Sequence, residues 1–352
     1  MAKQVVGLKI GASALAAARV STNGAVQVEQ LAREPLAPGV VAAGEVRDVG
    51  ALATALKAFF KKHKLPKRAV RVGIANNRIG VRTIELSGID DPRQLANAIR
   101  FRAQEVLPVP IEEAVLDYHV LSDESGDDGV SRKRVLLVVA YRDLVDAYVA
   151  ACKEAGLRLA GIDLEAFALL RALSVPHPAG GERSALVAVA VGAERSTLAV
   201  SDGETCEFTR VVEWGGTALT GALARVLDVD VEEAERIKTE LTLHGDGPAA
   251  GLSAESAARA RDALHIGLQT FARELVSSLQ FYQGQPDSLG IREVVLAGGT
   301  AQLGGLAEVL ERLIGVPVRV GDPLTAVSVA KKFKGGGVAP SLAVPIGLGM
   351  AR

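Results

Sequence analysis

Apolar residues dominate positions 5–10, give way to the small residues Gly11, Ala12 and Ser13, and resume over 14–20. That pattern predicts a strand, a tight turn and a returning strand. A related figure recurs at 186–200, where an apolar strand runs into Gly192 and Ala193 before a second strand leaves the turn. Each hairpin opens one half of the chain. Behind the first, residues 24–30 read as another strand, and Leu52, Leu56, Phe59 and Phe60 recur at helical spacing between Asp48 and the basic run Lys61-Lys62-His63-Lys64. Cations there suit a solvated helix C-terminus. Residues 70–75 then make a short buried strand that turns at Asn76-Asn77.

From residue 81 the order of elements changes. A strand at 81–86 precedes a helix opened by Asp91-Pro92, with Leu95, Ile99 and Val106 on one face and Pro108 and Pro110 as its stop. Strands at 114–121 and 134–141, joined by a polar loop at 122–131, complete a small self-contained unit. A helix at 142–155, a strand at 159–162 and a helix at 164–173 capped by Asp163 lead out of it.

In the second half, a strand at 205–212 enters Trp214-Gly215-Gly216-Thr217, and residues 226–241 read as one helix carrying Glu235 and Lys238. A long amphipathic helix at 254–282 is followed by a strand at 293–296 that delivers Gly298 and Gly299, and by a helix at 303–313. Glycine turns that follow strands leave main-chain N–H groups bare for an oxyanion. One such turn is a weak signal, and three in this order are a stronger one.

Composition narrows the function. A chain of 352 residues is long for one core and predicts two lobes. A formal net charge of -1 supplies no basic field to gather nucleic acid, so no nucleic-acid partner is expected. No apolar run approaches the roughly 20 residues that span a bilayer, so direct membrane insertion is not expected and a cytoplasmic location is. Cys152 and Cys206 lie far apart with no partner at metal spacing, which predicts two buried thiols and neither a disulfide framework nor a metal site. The segment 331–337, Lys-Lys-Phe-Lys-Gly-Gly-Gly, reads as a mobile loop.

Several passages in a fixed order carry a resemblance: 5–13, 99–110, 115–118, 155–169, 215–220, 232–238, 296–301 and 343–349. Together they resemble the actin-like ATPase superfamily, and within it the PilM family of type IV pilus assembly proteins, in the branch shared with FtsA. The resemblance implies an α/β, two-lobed actin-like (RNase H-like) fold with an SHS2-like strand–helix–strand–strand insertion in the first lobe. It places the first lobe at 1–80, 158–183 and 325–352, the insertion (subdomain 1C) at 81–157, and the second lobe at 184–324 with a subdomain at about 217–265. A nucleotide would be lined by Gly11, Ala12 and Ser13 from one hairpin and by Gly192, Ala193, Gly215 and Gly216 from the other. Glu235 and Lys238 would reach the adenosine over Gly298 and Gly299, although an ordinary i, i+3 salt bridge is the competing account of that pair.

Departures from the family pattern alter these implications. Relatives carry an aspartate two residues before each hairpin glycine, and this chain has Lys9 and Ala190. Those carboxylates orient magnesium-bound water, since a hard cation takes oxygen ligands. Mg2+ is therefore not expected, ATP binding is left open, and hydrolysis is expected to be negligible. Lys9 could face a phosphate or pair with a carboxylate, and the sequence leaves both open. The implied role is then a scaffold: a cytoplasmic platform held at the inner membrane by a PilN-like protein, alongside other pilus assembly components. The PilN-like tail would lie in a groove between the first lobe and its insertion, walled by Leu95, Ile99, Arg102 and Val106. An active ATPase of the same family is the first alternative. A membrane-tethered, FtsA-like filament is the second, and it is not expected because the chain ends on an apolar lobe-one segment and not on an amphipathic anchor.

Overall fold

The computed structural model describes residues 3–89, 91–106, 110–125, 130–174, 183–247, 249–286, 288–330 and 339–351. The expected loop at 331–337 lies outside them. The first lobe begins with β1 (Lys3–Ile10), β2 (Ala14–Asn23) and β3 (Ala25–Pro35), then the short β4 (Val41–Ala42) and β5 (Glu45–Val46), α1 (Val49–Lys62) and β6 (Val70–Ile74). Asp48 caps α1 by accepting from the Ala51 N–H at 2.8 Å, a common helix start. The insertion consists of β7 (Ile79–Ser87), α2 (Pro92–Val106), β8 (Ala114–Ser125) and β9 (Ser131–Tyr141). After it come α3 (Arg142–Glu154), β10 (Leu159–Leu164) and α4 (Glu165–Leu173).

The second lobe holds β11 (Ala185–Val191), β12 (Ser196–Ser201), β13 (Cys206–Val212), α5 (Gly216–Leu227), α6 (Val231–Glu240), α7 (Ala254–Gln283), β14 (Ile291–Ala297), α8 (Leu306–Ile314) and β15 (Val318–Val320). The chain then returns to the first lobe as β16 (Ser328–Val329) and α9 (Ala343–Met350). Strand order is β10-β6-β1-β2-β3-β16 in the first sheet and β13-β12-β11-β14-β15 in the second. In each, an antiparallel hairpin pairs through its first strand with a parallel strand. The repeat seen in sequence is thus a repeat of topology.

Between the lobes lies a layer made by α4 and α9, packed against both sheets. Period-two alternation on β1 explains how. Val6, Leu8 and Ile10 enter the core beneath α1 and α3, while the alternate positions Gly7 and Lys9 turn toward α9 and α4. On β11, Val187, Val189 and Val191 face the second-lobe core, and Leu186, Ala188 and Ala190 face the interlobe layer. A strand buried on both faces reads as an unbroken apolar run. The layer is thin because its residues are small: a Cβ on Gly347 would lie 1.8 Å from the Ala168 carbonyl oxygen, and one on Gly7 would lie 2.0 Å from that of Pro345.

Several local expectations need correction. Asp163 is not the cap of α4: β10 stays paired with β6 as far as Leu164, so the backbone is still extended at Asp163, whose carboxylate accepts from the Leu164 N–H and pairs with Arg171. The single helix expected at 226–241 is two, α5 and α6. Asp228 ends α5 in the left-handed region at φ 55°, and Asp230 caps α6 by accepting from the Glu233 N–H at 2.8 Å. Within the polar loop expected at 122–131, Ser122 to Ser125 are strand, paired to β9. The last long helix starts at Leu306, later than expected, after a one-turn 3-10 segment at Thr300–Gln302. Although the expected insertion ran to 157, α3 packs on α1 and buries Leu144, Tyr148 and Cys152 in the first-lobe core. Cys152 and Cys206 are buried free thiols, as expected, and burial pushes each up to about 12.

Replacing Gly347 with Ala should drive α9 away from α4 and cost about 3 kcal/mol, the upper end of overpacking effects. Urea unfolding checks this; a midpoint within error of wild type would show that the layer yields freely.

Candidate functional site

The first hairpin makes a turn closed on itself. The Gly11 N–H donates to the Ala14 carbonyl at 3.0 Å, and the Ser13 carbonyl accepts from the Leu36 N–H at 2.9 Å. Two residues before the glycine, Lys9 places its ammonium 2.9 Å from the Glu165 carboxylate. Glu165 is the first residue of α4 and is only 7% exposed, so its carboxylate sits at a helix N-terminus with the Lys9 ammonium as its ion-pair partner. Burial pushes the Tyr148 phenol upward, and the nearby Glu165 charge adds to that. Lys9 thus pairs with a carboxylate, resolving the choice the sequence left open.

The second-lobe turns fold onto one another. The Gly216 N–H donates to the Gly192 carbonyl at 2.9 Å, and the Thr217 N–H and hydroxyl both donate to the Ala193 carbonyl at 2.8 Å. From the other side the Thr300 hydroxyl donates to the Gly192 carbonyl at 3.1 Å. Close approach accounts for the glycines. A Cβ on Gly215 would lie 2.4 Å from the Ala193 oxygen, one on Gly216 would lie 2.4 Å from the Thr300 hydroxyl, and one on Gly298 would lie 2.3 Å from the Val191 oxygen. Gly298 also sits at φ 93°, which side chains avoid. Gly299, by contrast, has open space where a Cβ would be.

Glu235 and Lys238 join this knot. The buried Lys238 ammonium donates to the Glu235 carboxylate at 2.6 Å, to the Thr220 hydroxyl at 2.8 Å and to the Gly216 carbonyl at 3.2 Å. The i, i+3 salt bridge named as the competing account is therefore formed, and it is anchored to the glycine turn at the start of α5. The structure brings Gly192, Ala193, Gly215, Gly216, Glu235, Lys238 and Gly298 into one cluster. Among the described residues no hydrogen bond links Gly11, Ala12 or Ser13 to it. Ala190 is 3% exposed and packs in the interlobe layer.

The expected groove wall on α2 is different from its forecast. Leu95 and Ile99 are buried under the insertion's own sheet with Ala103, Val135, Leu137 and Val139, because their four-residue spacing is the core face of this helix. They do not line an open groove. Arg102 is exposed on α2, the side chain of Val106 lies outside the described residues, and Phe101 stands 65% exposed beside Arg102. The sequence pattern missed another feature. A cavity of about 180 Å3 opens where the first lobe, the root of the insertion and the second lobe meet, lined by Ile74, Asn76, Ile79, Leu164, Thr197 and Val211, among others. Asn76 was legible only as a turn, and nothing in β13 marked it as a wall. Among the described residues no group of three or more His, Cys, Asp or Glu side chains is placed to hold a metal ion, and no helix is long and apolar enough to cross a membrane.

Comparison with known proteins adds four findings. A family profile described as type IV pilus assembly protein PilM matches residues 7–352. The cell division protein FtsA of Escherichia coli K12 is 27% identical over 252 residues, covering 65% of this chain and 59% of FtsA, so the chain spans less than two thirds of that relative. A chain of a PilM–PilN type IV pilus biogenesis complex is similar in structure with a TM-score of 0.81, at 27% identity over 98% of this chain and 97% of that one. The ethanolamine utilization protein EutJ of Carboxydothermus hydrogenoformans, at 18% identity and a TM-score of 0.58, covers 99% of this chain and 89% of its own, and shares the two-lobed actin-like fold.

Lys9→Met should strand Glu165 as a buried unpaired charge and cost about 2–3 kcal/mol, toward the low end of such effects because Lys9 keeps some solvent contact. The double variant Lys9→Met, Glu165→Met should recover to within about 1 kcal/mol of wild type, since an apolar pair of similar volume replaces the ions. Urea midpoints of the three proteins decide it; additive losses would mean that the pair does not interact.

Proposed function

The chain belongs to the type IV pilus assembly protein PilM family, and from that premise we propose that it is a scaffold of type IV pilus assembly whose work is partner binding and not ATP turnover. The observation that carries this proposal is the likeness, over nearly the full chain, to a chain of a PilM–PilN type IV pilus biogenesis complex. The partner proposed here is accordingly a PilN-like inner-membrane protein that offers its cytosolic N-terminal tail. The scaffold then sits at the cytoplasmic face of the inner membrane, held through that partner and in contact with further pilus components.

Two features support a degenerate ATPase. Where magnesium would need oxygen ligands, one hairpin presents an ammonium already committed to Glu165 and the other a buried methyl, so neither position fits the ion. The glycine turns spend the N–H groups of Gly11, Gly192 and Gly216 on main-chain carbonyls, which leaves fewer donors for a phosphate. One observation favours nucleotide binding without turnover: the cluster around Gly216 and Lys238 is assembled where the family resemblance puts adenosine.

The tail is proposed to enter at the insertion's root and not along α2. An extended peptide gains affinity from a few apolar anchors and from pairing at sheet edges. The cavity beside Ile79 is lined by the apolar Ile74, Leu164 and Val211 and by the polar Asn76 and Thr209, and β13 and β7 are both edge strands next to it.

A synthetic tail peptide of the PilN-like partner, titrated by calorimetry with and without Mg2+ and ATP, should bind equally in both conditions. Ile79→Arg should weaken it at least tenfold, about 1.4 kcal/mol, while Phe101→Ala leaves it unchanged. The reverse pattern would move the tail to the exposed face of α2, and no binding to any form would sink the proposed partner.

A further inference from the structure

Among the hydrogen bonds that join the second lobe to the rest of the described residues, which include one from the Gly298 N–H to the Pro340 carbonyl at 2.9 Å, three share one arrangement. In each, the second lobe supplies a glutamate oxygen and the other side supplies the donor. Glu194, in the turn between β11 and β12, accepts from the Ala43 N–H at 2.8 Å. Glu213, just beyond β13, accepts from the Asn77 side-chain amide at 2.8 Å. Glu207, on β13, accepts from Arg134 of β9 at 2.8 Å. The contacts are spread over a hairpin turn, a strand and a strand end, and their donors come from the first lobe twice and from the insertion once.

The receiving loop on the first lobe is built to present its N–H. Ala43 is held at φ 52°, a conformation a residue with a side chain adopts only when its surroundings impose it. Asn76 does so by donating to the carbonyls of Ala43 and Gly44 at 3.1 and 3.3 Å, and the buried Tyr148 hydroxyl donates to Gly44 at 3.1 Å. Arg195 follows Glu194 into the same contact. A Cβ on Gly44 would lie 2.7 Å from its guanidinium, and two of its nitrogens, Nε and Nη1, are buried with no hydrogen-bond partner. A buried guanidinium is unfavourable by itself, so the carboxylates flanking it, Glu194 in sequence and Glu213 at 3.6 Å, contribute to holding it.

We propose that Glu194, Glu207 and Glu213 form a built-in clasp that holds the two lobes closed, so that lobe closure in this chain is independent of nucleotide. The turn at Gly192 then carries its own anion: Glu194 closes the lobes from within that turn, and its negative charge opposes the approach of a polyphosphate. The clasp does not depend on which partner docks, and no partner enters its test.

The test places spin labels at Lys57→Cys on α1 and Glu308→Cys on α8, both exposed in wild type, while the native Cys152 and Cys206 stay buried. Double electron–electron resonance on the full chain should give one narrow distance distribution that does not move when ATP and Mg2+ are added. In the triple variant E194A/E207A/E213A the distribution should shift to longer distance and broaden. The triple E194Q/E207Q/E213Q, which keeps neutral acceptors for Ala43 and Asn77, should shift less. Should circular dichroism show the alanine triple to be unfolded, E194A alone is read against the same expectation. An unmoved distribution in the folded alanine variants, or a shift of the wild-type distribution on adding ATP and Mg2+, overturns the clasp.

Discussion

Everything between the two sheets depends on a constraint of thickness. Gly347 lets α9 lie against the Ala168 carbonyl of α4, and Gly7 lets β1 lie under Pro345. With side chains at these positions the layer could not close, and the sheets could not share it. The second-lobe face of the layer is accordingly rich in small residues, Ala188, Ala190 and Ala199, and on the first lobe the long side chain of Lys9 is directed to Glu165 at the start of α4. An ion pair largely buried in so tight a layer must be matched.

That packing determines what the hairpins can do chemically. The turns keep the shape associated with nucleotide clamps, yet their donors and charges are largely satisfied by the protein. Lys9 meets Glu165, Lys238 meets Glu235 and Thr220, and the turn amides meet neighbouring carbonyls. What stays open lies elsewhere, at the root of the insertion, where three sheets come together around a cavity. A fold with its central cleft internally satisfied and a recess at its margin is suited to holding a peptide.

Much of this was legible in the sequence because the periodicities are strong. The two hairpins, the inserted strand–helix–strand–strand unit and the long α7 follow directly from alternation and helical spacing. Errors fell where two signals compete. Asp228-Val229-Asp230 lies inside an apparently continuous helical pattern, and only the preference of aspartate for left-handed ends and N-caps divides it. Asp163 looked like a cap because of its residue type, but strand pairing to β6 fixed its backbone first. Leu95 and Ile99 could equally wall a groove or fill a core, and one helical stripe cannot state which sheet will cover it. The glycines were visible while their reason was not: contacts of Gly215, Gly216 and Gly298 with residues far away in the chain require the tertiary structure. The same holds for the contacts of Glu194, Glu207 and Glu213.

The central claim is that this chain has kept the actin-like clamp and given up its metal chemistry. Phosphate release from Mg2+-ATP by the purified full-length chain, followed together with binding of ATP by equilibrium dialysis, tests it most directly. The account predicts no release above the no-protein control, whether or not ATP is retained weakly, and no dependence of that binding on Mg2+. Saturable, Mg2+-dependent release that disappears in a variant disrupting the Gly216–Lys238 cluster would contradict it.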